Sequence, residues 1–393
     1  MLALFAGSAR GLNCKGWMQK LGAAMNRIPT LDGWRGVAIL LVLVNHAASH
    51  TRFQGRLWSS LGSLGVDIFF VLSGYIITRL LILEREKSGT IELRSFYIRR
   101  AFRILPPALT FLAVLCIIAH FIDLGAFDRG EVLASVFFFR NYWGAAYPLT
   151  GPYTSHLWSL SVEEHFYLIW PAILLCVDNR RALWIAAGAA WSCALWRLYW
   201  YTHANYRTLN FTLTRTDLRA DGLLVGCALA LLLAKPKVRD LVYRNFPKET
   251  ATLCCFPILL VEQHNNGNPS MTVFLLIAIA IASTLTVEEG LGYKWLNSRL
   301  LVWIGTISYS LYIWQQLFLI RASSLFNPFG RLALFPLNIV AAFTLAVLSH
   351  YLLERPLIGF GRRRKLALSN RPAQPVAAFA HQDLLPSTIA ERL

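Results

Sequence analysis

LDGWRGVAILLVLVNH, residues 31–46, is apolar enough to lie in a bilayer, yet it holds Arg35 near one end and His46 near the other. At about 100° per residue, eleven steps come within about 20° of three full turns. The two side chains therefore share one helix face, about 16.5 Å apart along the axis. A charge at the centre of a membrane helix costs at least ~2.5 kcal/mol, and ionisable groups there ordinarily face a cavity or a pathway. Read alone, the pair is equally an arginine snorkelling at one membrane edge and a histidine capping the other.

The rest of the chain settles the setting. Of 393 residues, 56% are hydrophobic and only 15% charged, and the mean hydropathy is +0.47. That composition excludes an ordinary soluble enzyme. Apolar runs of roughly 17–25 residues, the length a helix needs to cross hydrocarbon, recur without the period-2 alternation of a transmembrane barrel. The sequence thus predicts an all-α polytopic bundle of about ten spans: 32–50, 61–83, 101–122, 155–177, 182–202, 217–234, 250–262 (short), 271–287, 301–320 and 332–353. EVLASVFFFRNYW, residues 131–143, is too short to span and reads as interfacial or re-entrant.

A net charge of +17 invites a nucleic-acid partner, but the basic residues alternate by loop. Segments 79–103, 235–248 and 355–371 are dense in Lys and Arg, whereas 51–60 and 263–270 hold two or none. By the positive-inside rule this puts both termini in the cytoplasm, so the charge reports topology rather than nucleic acid. No repeat or low-complexity linker divides the chain. The expected organisation is a peripheral extension (1–24), one transmembrane domain (25–360) and a basic, disordered cytoplasmic tail (361–393). The seven cysteines have no metal-ligand spacing and read as small core hydrophobes, with no metal expected.

Three more constellations bear chemistry. ELRSFYIRRAFRILPP, residues 92–107, sets Arg100 and Arg103 three apart on one helix face, and their forked donors suit phosphate oxygens. A positive-inside flank is the plain alternative, and Pro106 and Pro107 suggest a kinked or shortened start to the helix. HLWSLSVEEHFYLIWP, residues 156–171, holds Glu163, Glu164 and His165 inside a spanning segment. Carboxylates at that depth are functional by default, a capping box from Ser161 to Glu164 being the structural alternative. Asp67 and Arg79 bracket the second span, and Arg219 with Asp221 opens the sixth. The latter two read best as a buried structural ion pair.

Taken in order, these segments, with RADGLLVG (219–226), GTISYSLYIWQ (305–315) and YLLERPL (351–357), resemble the integral-membrane acyltransferase-3 family, whose members O-acylate sugars and other envelope molecules. The resemblance runs from about Leu31 to Arg363. It implies transfer of an acyl group, commonly acetyl, from cytoplasmic acyl-coenzyme A to a hydroxyl of a cell-envelope saccharide or similar acceptor. It also implies a bacterial inner (plasma) membrane location. No tightly bound cofactor is implied, acyl-coenzyme A being a co-substrate. The partners expected are the lipid bilayer, acyl-coenzyme A and the acceptor.

In this scheme Arg35, Arg100 and Arg103 hold the coenzyme's phosphates. His46 acts as general base, and Glu163 or Glu164 orients His46 or binds acceptor hydroxyls. Asp67, Ser161, His165 and Tyr309 bind substrate or support the site. The chain departs from the family's usual pattern at His165, commonly Gln, and at Gln315, commonly His. The soluble esterase-like domain of some members is expected to be missing. No serine lies in a Gly-x-Ser-x-Gly setting, which favours direct transfer over an acyl-enzyme. The competing class is a transporter or flippase, but the inverted repeats and paired broken helices it predicts are not found.

Overall fold

The apolar runs fold as helix because a backbone in hydrocarbon must satisfy its N–H and C=O groups within its own segment. The computed structural model describes residues 28–48, 56–122, 124, 127–147, 151–203, 214–264, 270–319 and 329–361. The expected 1–24 extension and the tail beyond 361 lie outside them. The described residues are helical and contain no strand.

In order, the helices are α1 (Pro29–Ala48), α2 (Arg56–Ser88), α3 (Leu93–Phe121), α4 (Arg129–Val136), α5 (Arg140–Ala146), α6 (Leu157–Cys176), α7 (Asn179–His203) and α8 (Thr216–Arg219). There follow α9 (Asp221–Leu233), α10 (Pro236–Asn245), α11 (Thr250–His264), α12 (Met271–Thr286), α13 (Gly290–Leu296), α14 (Arg299–Thr306), α15 (Ser308–Trp314) and α16 (Leu337–Leu348). A 3₁₀ turn (Gln315–Leu317) extends α15, and a π-helical turn (Ser349–Glu354) interrupts the helix running on from α16 to residue 361.

Each of the ten expected segments falls on helix. Among the described residues, three helices are long and apolar enough to cross a membrane, Leu61–Ser88, Leu93–Phe121 and Leu337–Gly361. A fourth is reached if α12 and α13, bent by 86° at their junction, count as one span.

Side-chain orientation carries the membrane signature independently of length. Along α7, Ala182, Ala186, Ala190, Cys193 and Arg197 are buried, while Trp184, Trp191, Leu195 and Leu198 are exposed. In water the tryptophans would turn inward. In lipid, burying large apolar groups gains little, and small residues at the interface let helix backbones approach.

The same logic fixes the main crossings. α2 and α9 meet so closely that a Cβ on Gly74 would strike the Leu223 carbonyl, and one on Gly226 the Val71 carbonyl. α1 meets α14 likewise, with Gly36 against the Leu301 carbonyl and Gly305 against that of Asp32.

Three local expectations are corrected. Pro106 and Pro107 neither shorten nor delay the third helix, which is continuous from Leu93. The Tyr309 hydroxyl donates to the Ile104 carbonyl in this turn (2.8 Å), a tie from α15 to α3 beside the carbonyls of Phe102 and Arg103 that the prolines leave without an i+4 donor. Residues 301–320 form two helical pieces and a 3₁₀ turn rather than one rod. Ser161 is not a cap: its hydroxyl donates to the Leu157 carbonyl one turn back, within α6 (3.1 Å).

Residues 131–143 form most of two helices too short to span, joined at Phe138, whose φ of 58° is rare for a bulky residue. Arg140 clasps this hairpin. Its Nε donates to Thr154 Oγ1 (2.8 Å), its Nη2 donates to the Gly151 carbonyl (3.1 Å), and Glu131 lies 3.7 Å away.

Candidate active site

The site is organised by one face of α6 and its approach. His156, Glu163 and Tyr167 stand at i, i+7 and i+11, about two and three turns apart on one side. Glu163 accepts hydrogen bonds from the Tyr167 hydroxyl (2.7 Å) and from Ser73 on α2 (3.2 Å). Arg100, from α3, reaches both carboxylates, with Nη2 3.7 Å from Glu163 and Nε 3.7 Å from Glu164. Its guanidinium lies 3.4 Å above the Tyr167 ring centroid, a cation–π geometry that adds to the ion pairs. The adjacent glutamates are tolerable in the bundle because one arginine bridges them.

Arg35 and Arg103 complete the cluster. Arg35 is 4.0 Å from Asp32 and within electrostatic reach of Glu163, Tyr167 and Arg100. Arg103 faces Arg35 and Arg100, and among the described residues it makes no ion pair. The three arginines expected to act together therefore do converge, from α1 and α3. Two of them are matched by Asp32, Glu163 and Glu164, which leaves Arg103 as the cation with spare capacity for an anion.

His46 lies at the other end of α1. Its helix face, marked by Ile39, Val42 and Leu43, packs against Ile307, Leu311 and Leu319. The group within its electrostatic reach is His156, at the start of α6. The hydrogen bonds and ion pairs of the glutamates run to Ser73, Tyr167 and Arg100, not to His46. His156 is buried, edge-on to Phe111 (centroids 5.5 Å) and beside Tyr312 (5.3 Å). The Tyr312 hydroxyl donates to the His156 carbonyl and hydrogen-bonds with Ser159 Oγ. Neither His156 ring nitrogen is hydrogen-bonded, the Ile313 carbonyl being the acceptor nearest to serving it.

The two histidines of this motif have different surroundings. His165 turns away from the glutamates, its Nδ1 2.7 Å from Thr216 Oγ1 and its ring between Phe139 and Tyr142. The signal for His156 was available: it shares the helical face of Glu163, whereas His165 is about 200° away from that residue.

The expected pairing of Arg219 with Asp221 is also replaced. Arg219 Nη2 binds Asp67 Oδ1 (2.9 Å), and Arg197 Nη2 binds Asp221 Oδ2 (2.6 Å). Residues two apart on a helix do not face one another, so each aspartate takes its arginine from another element. Arg219 also lies near the rings of Trp158 (5.1 Å) and Phe70 (5.6 Å). Asp67 is thereby a structural support, and Tyr309 supports the backbone of α3.

Beyond His156, buried polar atoms without hydrogen bonds gather on α15 and its extension: Trp314 Nε1, both amide atoms of Gln315, and Gln316 Oε1. Gln316 is otherwise tied by its Nε2 to the Pro152 carbonyl (2.6 Å) and Ser155 Oγ (3.2 Å). Each buried polar atom left unpaired costs about 1–3 kcal/mol. Such a concentration in a few turns marks a place meant for water or a ligand.

The chain is 32% identical over 358 residues to the peptidoglycan O-acetyltransferase OatA of Listeria monocytogenes, covering 84% of the chain and 56% of the relative. It is 29% identical over 365 residues to YrhL of Bacillus subtilis, provisionally named a peptidoglycan O-acetyltransferase, covering 84% and 55%. The chain spans about half the length of the curated relatives it matches. No solved structure matches it significantly. A family model described as "Acyltransferase domain" matches residues 28–355, which contain every residue of the arginine–glutamate cluster and both histidines: the chain belongs to the acyltransferase-3 family.

Proposed function

We propose that the chain is a membrane-bound O-acyltransferase that moves an acetyl group from cytoplasmic acetyl-coenzyme A to a hydroxyl of a cell-wall saccharide. It acts in a bacterial plasma membrane, and residues 25–360 form a single domain of about ten spans with both termini cytoplasmic. The observation that carries this reading is the two-ended site. An arginine cluster at the cytoplasmic ends of α1 and α3 has unmatched positive charge at Arg103, and His46 stands three turns away on the Arg35 face. Family membership and the relatives' printed names support the acyl chemistry and a peptidoglycan-type acceptor.

The arginines bind the coenzyme's phosphates, with Arg103 leading. The uncharged pantetheine arm then extends along the Arg35 face of α1 toward His46. His46 takes the acceptor hydroxyl's proton as that oxygen attacks the thioester carbonyl. The tetrahedral centre collapses by breaking the C–S bond, and the departing thiolate recovers the proton from the imidazolium. General-base action contributes roughly 10²- to 10⁴-fold, and holding donor and acceptor together adds to it. Glu163 and Glu164 set the position of Arg100 rather than touching the base.

The test uses purified protein, radiolabelled acetyl-coenzyme A and a peptidoglycan disaccharide. Wild type should label the disaccharide, and His46→Ala should lower the rate by roughly 10²-fold or more. Undiminished labelling by His46→Ala removes His46 as the base. A stable acyl-protein formed without acceptor replaces direct transfer by a covalent route.

A further inference from the structure

The hydroxyl acceptor needs its own binding groups, and the arginine cluster supplies none suited to a neutral sugar. We infer that His156, Gln315 and Trp314 form the acceptor subsite beside His46, and that its ligand is a pyranose unit of an extracytoplasmic saccharide. The inference rests on the acyltransferase reading and deepens it.

Three observations converge. First, all three side chains are at least nine-tenths buried and hold polar atoms with no hydrogen bond: both nitrogens of His156, both amide atoms of Gln315 and the indole nitrogen of Trp314. The neighbouring Ser159 and Tyr312 hydroxyls are hydrogen-bonded and Gln316 is tied through its Nε2, whereas these atoms are open.

Second, packing connects them to the His46 end of α1. His156 is within its electrostatic reach. Gln315 lies midway between Leu311 and Leu319, both of which pack on the α1 stripe of Ile39, Val42 and Leu43 that His46 continues one turn on. Trp314 and His156 flank the same ring, Phe111, at 5.8 and 5.5 Å.

Third, the chemistry is that of a sugar site. Aromatic rings offer an apolar surface to a pyranose C–H face. An amide supplies donors and an acceptor, and imidazole supplies one of each, which matches vicinal hydroxyls. The guanidinium within electrostatic reach of His156, that of Arg140, is already paired with Glu131, so the subsite suits a neutral ring. It also sits at the end of α1 opposite the arginines, so donor and acceptor arrive from opposite faces of the membrane.

Gln315 carries the specificity. An amide can hold a hydroxyl or an acetamido group but cannot compete with His46 for the proton.

The test measures initial rates with acetyl-coenzyme A and an N-acetylglucosamine–N-acetylmuramic acid disaccharide whose lactyl carboxyl is amidated and so uncharged, each varied in turn, for wild type, His156→Asn and Gln315→Leu. Thermal midpoints serve as the fold control. In parallel, disaccharide binding is titrated by tryptophan fluorescence in a His46→Ala background. The expected result is an acceptor KM raised at least tenfold in each variant, with the donor KM within twofold. Disaccharide binding should survive His46→Ala and be weakened at least tenfold by adding either substitution. Equal effects on donor and acceptor, or an unchanged acceptor KM in folded variants, overturns the subsite and leaves the acyltransferase intact. A wild type that binds the disaccharide through these residues but never acetylates it overturns the enzyme reading instead.

Discussion

The crossed ion pairs offer a sharp test of the packing, because the sequence-adjacent and structural readings name different rescuing partners. Arg219 and Asp67 are nearly fully buried and 2.9 Å apart. Removing one partner strands a buried charge, which costs about 3–5 kcal/mol, whereas replacing both by apolar groups of similar volume is often neutral or better. Arg219→Met should therefore lower the thermal midpoint in detergent by roughly 6–10 °C, taking about 2 °C per kcal/mol. Adding Asp67→Leu should recover most of that loss, because no charge is then stranded in this pair. Adding Asp221→Leu should deepen the loss, because it strands Arg197 as well. Differential scanning fluorimetry of the four proteins decides it. A midpoint restored by Asp221→Leu and not by Asp67→Leu refutes the crossed pairing.

Further outcomes follow from the other contacts. Arg103→Ala should raise the KM for acetyl-coenzyme A without lowering stability, since Arg103 makes no ion pair among the described residues. Arg100→Ala should do both, because it uncouples Glu163 and Glu164 from their shared cation; steady-state kinetics with thermal melts separates the two. Gly74→Ala should destabilise by about 1–3 kcal/mol or more, as the new methyl meets the Leu223 carbonyl where no side chain can yield. Glu131, in the short hairpin outside the spans, has its carboxyl pushed up to about 7 by burial, partly offset by Arg140. An acid with a raised folded value favours the native state when protonated. Stability should accordingly fall as pH rises from about 4.5 through about 7, and Glu131→Gln should flatten that slope in melts taken across the range.

The helices were legible because length and apolarity dictate them: LVLV-type runs have no other structure open to them in hydrocarbon. Arg35, Arg100 and Arg103 were legible as a group because each lies on a predictable face near the same membrane edge. The ion-pair partners were not. Asp67 and Arg219 stand 152 residues apart, and nothing local distinguishes that match from Arg219 with Asp221. The tie of Tyr309 to the Ile104 carbonyl beside Pro106 and Pro107 was hidden for a similar reason, since the two lie some two hundred residues apart. His156 differs: its alignment with Glu163 was readable by helical geometry, although the eye falls first on His165, the glutamates' neighbour in the chain.

The glycine contacts of α1 bear on how this domain tolerates insertions and deletions. With Gly36 and Gly305 seated on opposing carbonyls, α1 cannot slide along α14 to absorb a change of length. One residue added between Gly36 and His46 would turn the imidazole by about 100° and raise it by about 1.5 Å, off the stripe that meets α15. The stretch from 36 to 46 should thus accept many apolar exchanges but no indel. In the proposed reaction a different acyl length would have to be accommodated by changing side chains along that face, with the count of residues in α1 held fixed.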